Sequence, residues 1–127
     1  MNSNLTDTVI VTALVEFIPE HTYAEHSVFF YKYTIQVQNF EPRAITILAR
    51  YWKITDATGV SRIVEGKGVV GEEPTLLPGQ EYAYSSFSSF NWEWGKMEGY
   101  YTVQYDSGEC ARVLIPPFLL HAAALLN

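Results

Sequence analysis

Hydrophobic residues in this chain recur at every second position far more often than at helical spacing. From Phe29 to Val37 the odd positions hold Phe29, Tyr31, Tyr33, Ile35 and Val37, with Lys32, Thr34 and Gln36 between them. That alternation predicts a strand with one covered and one wet face. Val9 to Phe17 repeats it, with Val9, Val11, Ala13, Val15 and Phe17 on one parity. A third run, Ile45 to Ile54, starts with Ile45 and Ile47 and then transfers its bulk to Leu48, Trp52 and Ile54. Either one inserted residue, a β-bulge, swaps the faces there, or both faces are covered. Turn residues punctuate the runs at Asn39-Phe40-Glu41-Pro42, Asp56-Ala57-Thr58-Gly59, Pro78-Gly79 and Asp106-Ser107-Gly108. They frame further strands over Val60–Glu65, Glu81–Ser85, Met97–Tyr105 and Cys110–Ile115. Short strands so punctuated predict one all-β unit over residues 1–127, an antiparallel sandwich of about seven to eight strands. Ala122-Ala123-Ala124-Leu125-Leu126 offers a single helical turn, too short to stand alone.

Composition sharpens this picture. Of 127 residues, 48% are hydrophobic and 17% charged, enough apolar surface for a core and too little charge for a disordered chain. Aromatics at 15% favour sheet over helix. The formal net charge of −6 leaves no electrostatic footprint for a nucleic-acid backbone. Cys110, the single cysteine, excludes an internal disulfide and a thiolate-rich zinc site. At the start of a strand it reads as a small buried hydrophobe. The first residues lack a basic cluster and an apolar run, and Val113 to Leu126 is too short and too interrupted to cross a bilayer. A cytoplasmic protein without a membrane partner is the expectation.

Gly66-Lys67-Gly68-Val69-Val70-Gly71 fits G-x-G-x-x-G. In a dinucleotide-binding fold that string opens a helix whose first amides hold a pyrophosphate. Here Glu72-Glu73-Pro74 follows, without an amphipathic helix, and two carboxylates would repel a phosphate. A turn between strands is the first reading. An anion nest of consecutive amides, with Lys67 adding charge, is the second.

Two further constellations carry chemistry. Glu20-His21 and Glu25-His26 offer nitrogen and oxygen donors to a divalent ion from His21 and His26, or form an ordinary solvated loop. Phe87, Phe90, Trp92 and Trp94 either make an exposed patch, with Phe90, Trp92 and Trp94 meeting a protein partner, or close one end of the sandwich. No nucleophile stands in a sequence context that activates it, so the chain is not expected to be an enzyme.

Four blocks resemble the ApaG family, called CorD in enterobacteria. Arg50-Tyr51-Trp52-Lys53-Ile54-Thr55-Asp56-Ala57 is similar to its R-x-W-x-I-T-D-A segment, and Val64 to Pro74 to its V-x-G-x-G-V-V-G-E-x-P loop. Leu77-Pro78-Gly79 with Tyr82 to Ser86 resembles L-x-P-G…Y-x-S, and Gly95 to Tyr101 resembles G-x-M-x-G-x-Y. Order and spacing hold from about Val9 to Phe118. The family often has a Thr/Pro-rich loop where this chain has Phe87 to Trp94. The resemblance implies an immunoglobulin/fibronectin-III-like sandwich and a link to magnesium and cobalt homeostasis. It also implies kinship with domains of eukaryotic F-box and polymerase-interacting proteins that serve protein recognition.

The resulting expectation is a non-enzymatic accessory or protein-recognition module, monomeric or dimeric, without a cofactor other than a divalent metal. The alternative is a ligand-binding domain. There Gly66, Lys67, Gly68 and Gly71 receive pyrophosphate or a nucleotide, with a cation held by Glu65, Glu72 or Glu73.

Overall fold

In the computed structural model, which describes residues 4–122, the alternating runs form two facing sheets. The strands are β1 (Asn4–Leu5), β2 (Val9–Phe17), β3 (Phe29–Asn39), β4 (Ile45–Asp56), β5 (Ser61–Lys67), β6 (Thr75–Leu76), β7 (Glu81–Phe90), β8 (Trp94–Tyr105) and β9 (Cys110–His121). One sheet has the order β1-β9-β8-β4-β5, with β6 added to β4; the other is β2-β3-β7. Neighbours are antiparallel except the two-residue β1, which runs parallel to β9. The result is an immunoglobulin/fibronectin-III-like sandwich of seven long and two very short strands. Of the expected helical turn, Ala123 to Leu126 lies outside the described residues.

The parity of each run decides its buried face. Tyr31, Ile35 and Val37 of β3 meet Ile45, Ile47 and Trp52 of β4 and Tyr101, Val103, Val113 and Ile115 of β8 and β9. Full burial of such a side chain contributes about 1.5–3 kcal/mol. Trp52 sits at the centre, its ring edge-on to Tyr33, Tyr101 and Phe118 at 6.1, 6.5 and 6.0 Å. Asn39 is the one polar side chain completely buried among the described residues, and each of its polar atoms is bonded. Its Nδ2 donates to the carbonyls of Arg43 and Leu76, and its Oδ1 accepts the Glu41 amide.

The switch of parity in β4 is a bulge. Pairing with β8 slips between Ile47 and Ala49, so Leu48 is the inserted residue. The bulge turns Arg50 inward, onto the face of Trp52 and Ile54.

The sequence reading ends two strands too early. β9 continues past Ile115 through Pro116-Pro117, and its register against β8 slips there, with Ile115 opposite Gly99 and Phe118 opposite Met97. Prolines need no ladder partner at such a slip. β7 likewise runs on to Phe90, so Phe87 and Phe90 belong to a strand and not to a loop. Cys110 is exposed, contrary to the buried hydrophobe expected, with its Sγ 3.9 Å from the Gly108 carbonyl.

The two sheets close on one side, where β2 packs beside β9. On the other side the outer strands are β5 and β7, and a groove opens between them.

Candidate functional site

β5 is an edge strand with little of its own buried. All its residues except Gly66 are exposed, and its outer edge has no partner among the described residues. Its register with β4 pairs Arg62 with Ile54, Val64 with Trp52 and Gly66 with Arg50, so these three face the inside of the sandwich. Across the gap, β7 turns Tyr82, Tyr84, Ser86, Ser88 and Phe90 inward. The short Ser86 and Ser88 side chains leave a groove of about 250 Å³, walled by Arg50, Val64, Val70 and Tyr84. Towards the other end of β7 a second hollow of about 350 Å³ lies between Arg62, Val60 and Trp92.

Arg50 ties this groove to the glycine segment. Its guanidinium lies over Gly66, where an added Cβ would come within 2.4 Å of Nη2. Nη1 donates to the Lys67 carbonyl at 2.8 Å and the Gly68 carbonyl at 3.1 Å. Gly68, at φ +62°, donates its amide to Leu48 at 2.7 Å, and a Cβ there would sit 2.0 Å from the Glu72 carbonyl. Val69 and Glu72 then exchange two amide–carbonyl bonds of 2.8 Å each. Between them Val70 and Gly71 have φ of +43° and +79°, both positive as a type I′ turn requires. The motif is therefore a tight hairpin turn that opens no helix. Gly66, Lys67, Gly68 and Gly71 do come together, yet the amides of Gly68, Val69 and Glu72 already donate within the chain. The Lys67 ammonium lies 3.8 Å from the Glu73 carboxylate, and Glu72 accepts from the Tyr82 hydroxyl at 3.0 Å.

Behind Arg50 the hydroxyls of Tyr84 and Tyr101 hydrogen-bond each other across the sheets. Burial pushes the Tyr84 phenol up to about 12 and raises that of Tyr101 further. At the far end the Tyr31 hydroxyl donates to the Glu93 carbonyl at 2.8 Å. Burial, with the nearby Glu93 charge, pushes Tyr31 up to about 12 as well.

The aromatic cluster divides. Phe90 is buried, not exposed: its inward parity sets it edge-on to Tyr31 at 6.3 Å and against Gly95. It cannot meet a partner from there, which corrects its expected role. Trp92 and Trp94 are 40% and 44% exposed, so they remain available for contact. They do not form one extended face, because residues 91–93 bend between β7 and β8. Trp92 borders the second hollow, and Trp94 starts β8 opposite His121. Phe87 is on the outer face, stacked on Phe30 at 5.6 Å. Asp56 anchors the β4–β5 turn. The Thr58 hydroxyl chiefly, then the Thr58 and Val60 amides and the Trp92 indole, hold its carboxyl below the usual value.

His21 and His26 end two successive 3-10 turns, Pro19–His21 and Ala24–His26, both exposed. The His21 ring lies 5.5 Å from Phe30. Among the described residues no three His, Cys, Asp or Glu side chains converge as a metal site needs.

Sequence reasoning missed Arg50, Val70 and Tyr84 as groove residues, and Tyr101 as the buried partner behind them. The parity switch after Leu48 was the available signal for Arg50, since it places residue 50 on the covered face. Nothing local marks Val70, because a valine at positive φ breaks the usual preference.

The class the geometry defines is an immunoglobulin/fibronectin-III-like β-sandwich with one exposed edge strand and a groove beside it. The model of the ApaG domain matches residues 19–105. The chain is 40% identical to Protein ApaG of Methylocella silvestris over 94% of this chain and 92% of that one. It is 35% identical to Protein ApaG of Shewanella sediminis, over 98% and 99% of the two chains. A crystal structure described as the putative ApaA protein from Bordetella pertussis is 28% identical, with a TM-score of 0.87 over 94% of this chain and 97% of that one. The chain belongs to the ApaG family.

Proposed function

We propose that this chain is a non-enzymatic protein-recognition module whose open side, the free edge of β5 with its adjoining groove, receives an extended segment of a partner protein. The observation that carries this reading is β5 itself. A strand with exposed side chains on both faces and an edge unpaired among the described residues has backbone donors and acceptors ready for one more strand. The groove adds pockets for alternate side chains, and Trp92 borders the neighbouring hollow as an aromatic contact. The setting is cytoplasmic, and the partner belongs to the divalent-cation homeostasis that the family resemblance implies. Affinity capture with wild type, Val64→Lys and Leu114→Lys tests the surface. Val64→Lys should lose the partner, whereas Leu114→Lys, on the β9 side, should retain it. The reverse pattern would move the interface off the open side.

A second reading places pyrophosphate or a nucleotide at the glycine turn. A shallow depression there is shared by Lys67, Gly71, Glu72 and Glu73, whose carboxylates call for a cation with any phosphate. Calorimetry supports it if heat appears only when pyrophosphate and magnesium are present together, and counts against it if every mixture is silent. The His21/His26 metal site is checked by cobalt titration, where identical traces for wild type and a His21→Ala/His26→Ala pair would remove it.

A further inference from the structure

Arg50 is a half-buried cation without an anionic partner among the described residues. The ion pairs there join Arg43 to Glu41 and Glu109, Lys67 to Glu73 and Lys96 to Glu98. A guanidinium turned between two sheets is partly desolvated, and carbonyl dipoles offset that cost less completely than a counter-ion does. The two carbonyl bonds to Nη1 fix the group in place. They leave its Nε–Nη2 edge, whose two parallel donors match the two oxygens of a carboxylate. We propose that the groove between β5 and β7 is a carboxylate-selective subsite, in which Arg50 receives an Asp or Glu side chain of an extended partner segment and Val70 packs over that segment. This assignment rests on the recognition reading above and names the chemistry of its ligand.

Three observations support it independently of the charge. The groove, at about 250 Å³, lies below the roughly 300 Å³ at which pockets for drug-sized ligands begin, so it suits one side chain and not a nucleotide. The Tyr84–Tyr101 pair stays protonated at neutral pH; its two hydroxyls share one hydrogen in their mutual bond and leave the other to donate. Val70 walls the same groove and is 58% exposed at φ +43°. The left-handed conformation costs an L-residue about 1–2 kcal/mol, more easily borne by Asn or Gly. Strain of this kind gathers at ligand clamps. An extended segment alternates its side chains, so an acid pointing at Arg50 brings its neighbours two residues away towards Val64 and Val70.

The test is a titration of the isotope-labelled full chain, followed by magnetic resonance. The ligands are the capped peptide Thr-Val-Thr-Glu-Thr-Val-Thr and its counterpart with Gln in place of Glu. The Glu peptide should bind at least about tenfold more tightly, the scale of one charge-assisted hydrogen bond, and shift the Arg50 Nε–H resonance. Arg50→Lys keeps the charge but loses the fork, and should reduce that preference, whereas Arg50→Met, which loses both, should erase it. Val70→Asn leaves Arg50 intact; it should raise the melting temperature yet weaken the Glu peptide, a combination that loss of folding cannot mimic. Equal affinity for the two peptides, with β5 amides shifting, would overturn the carboxylate assignment and leave edge recognition standing. If neither peptide shifts β5 or β7 amides, both readings fall.

Discussion

Val70 and Gly68 occupy the same turn and carry opposite predictions. Val70→Asn creates the Asn-Gly pair that type I′ turns favour and relieves a β-branched residue from positive φ. A gain of about 1 kcal/mol in urea unfolding is expected, since little buried surface is lost. Gly68→Ala adds a Cβ 2.0 Å from the Glu72 carbonyl at φ +62°, so the turn must open. A loss of about 2 kcal/mol or more in the same assay is expected. The buried tyrosines set the alkaline limit. Tyr84 ionises near 12 in the fold, against 10.0 for an ordinary solvated phenol, because burial disfavours the phenolate. Folding therefore favours the neutral form, and this stabilisation is complete below about pH 10 and declines as pH rises towards 12. Unfolding free energy should be flat across neutral pH and fall in that window, in step with late phenolate absorbance. The Tyr84→Phe/Tyr101→Phe double variant should show a shallower fall.

Strands were legible where one face is buried and the other wet, as in β2 and β3. Period two is then imposed by the core. The parity switch in β4 was legible too, but it left a bulge and a strand covered on both faces equally open; the register against β8 decides for the bulge. The ends of β7 and β9 were not. Pro116-Pro117 looks like a terminus when read locally, but the register slip against β8 accommodates it. Phe87 to Phe90 looks like an aromatic loop, although its alternation continues β7 unbroken. The edge position of β5 is written nowhere in β5 itself; it follows from the order of the whole sheet. Fluorescence quenching reports on the aromatic end directly. Trp52, only 4% exposed, should resist an aqueous quencher, while Trp92 and Trp94 should respond. Trp92→Phe and Trp94→Phe should each remove part of the quenchable signal. Protection of both rings in the free protein would deny them a contact role.

At the scale of the molecule the sandwich has one closed side and one open side. The closed side, where β2 and β9 meet, also exposes apolar residues, among them Leu5, Ile10 and Leu114. Apolar exposure by itself therefore does not choose between the two. The strand edge left unpaired among the described residues, the inward Arg50 and the strained Val70 all lie on the β5/β7 side, and the proposed recognition surface rests on these three. The groove was hidden in the sequence because it is assembled from β4, β5, β7 and the turn after β5, segments that meet only after both sheets form. Amide hydrogen exchange of the full chain, alone and saturated with a purified protein partner captured from cytosol, compares the two sides most directly. Slowed exchange concentrated in Ser61–Lys67, the Val69–Glu72 turn and β7 is the predicted result. Slowing confined to β1, β2 and β9, with β5 exchanging as fast as in the free chain, would contradict it.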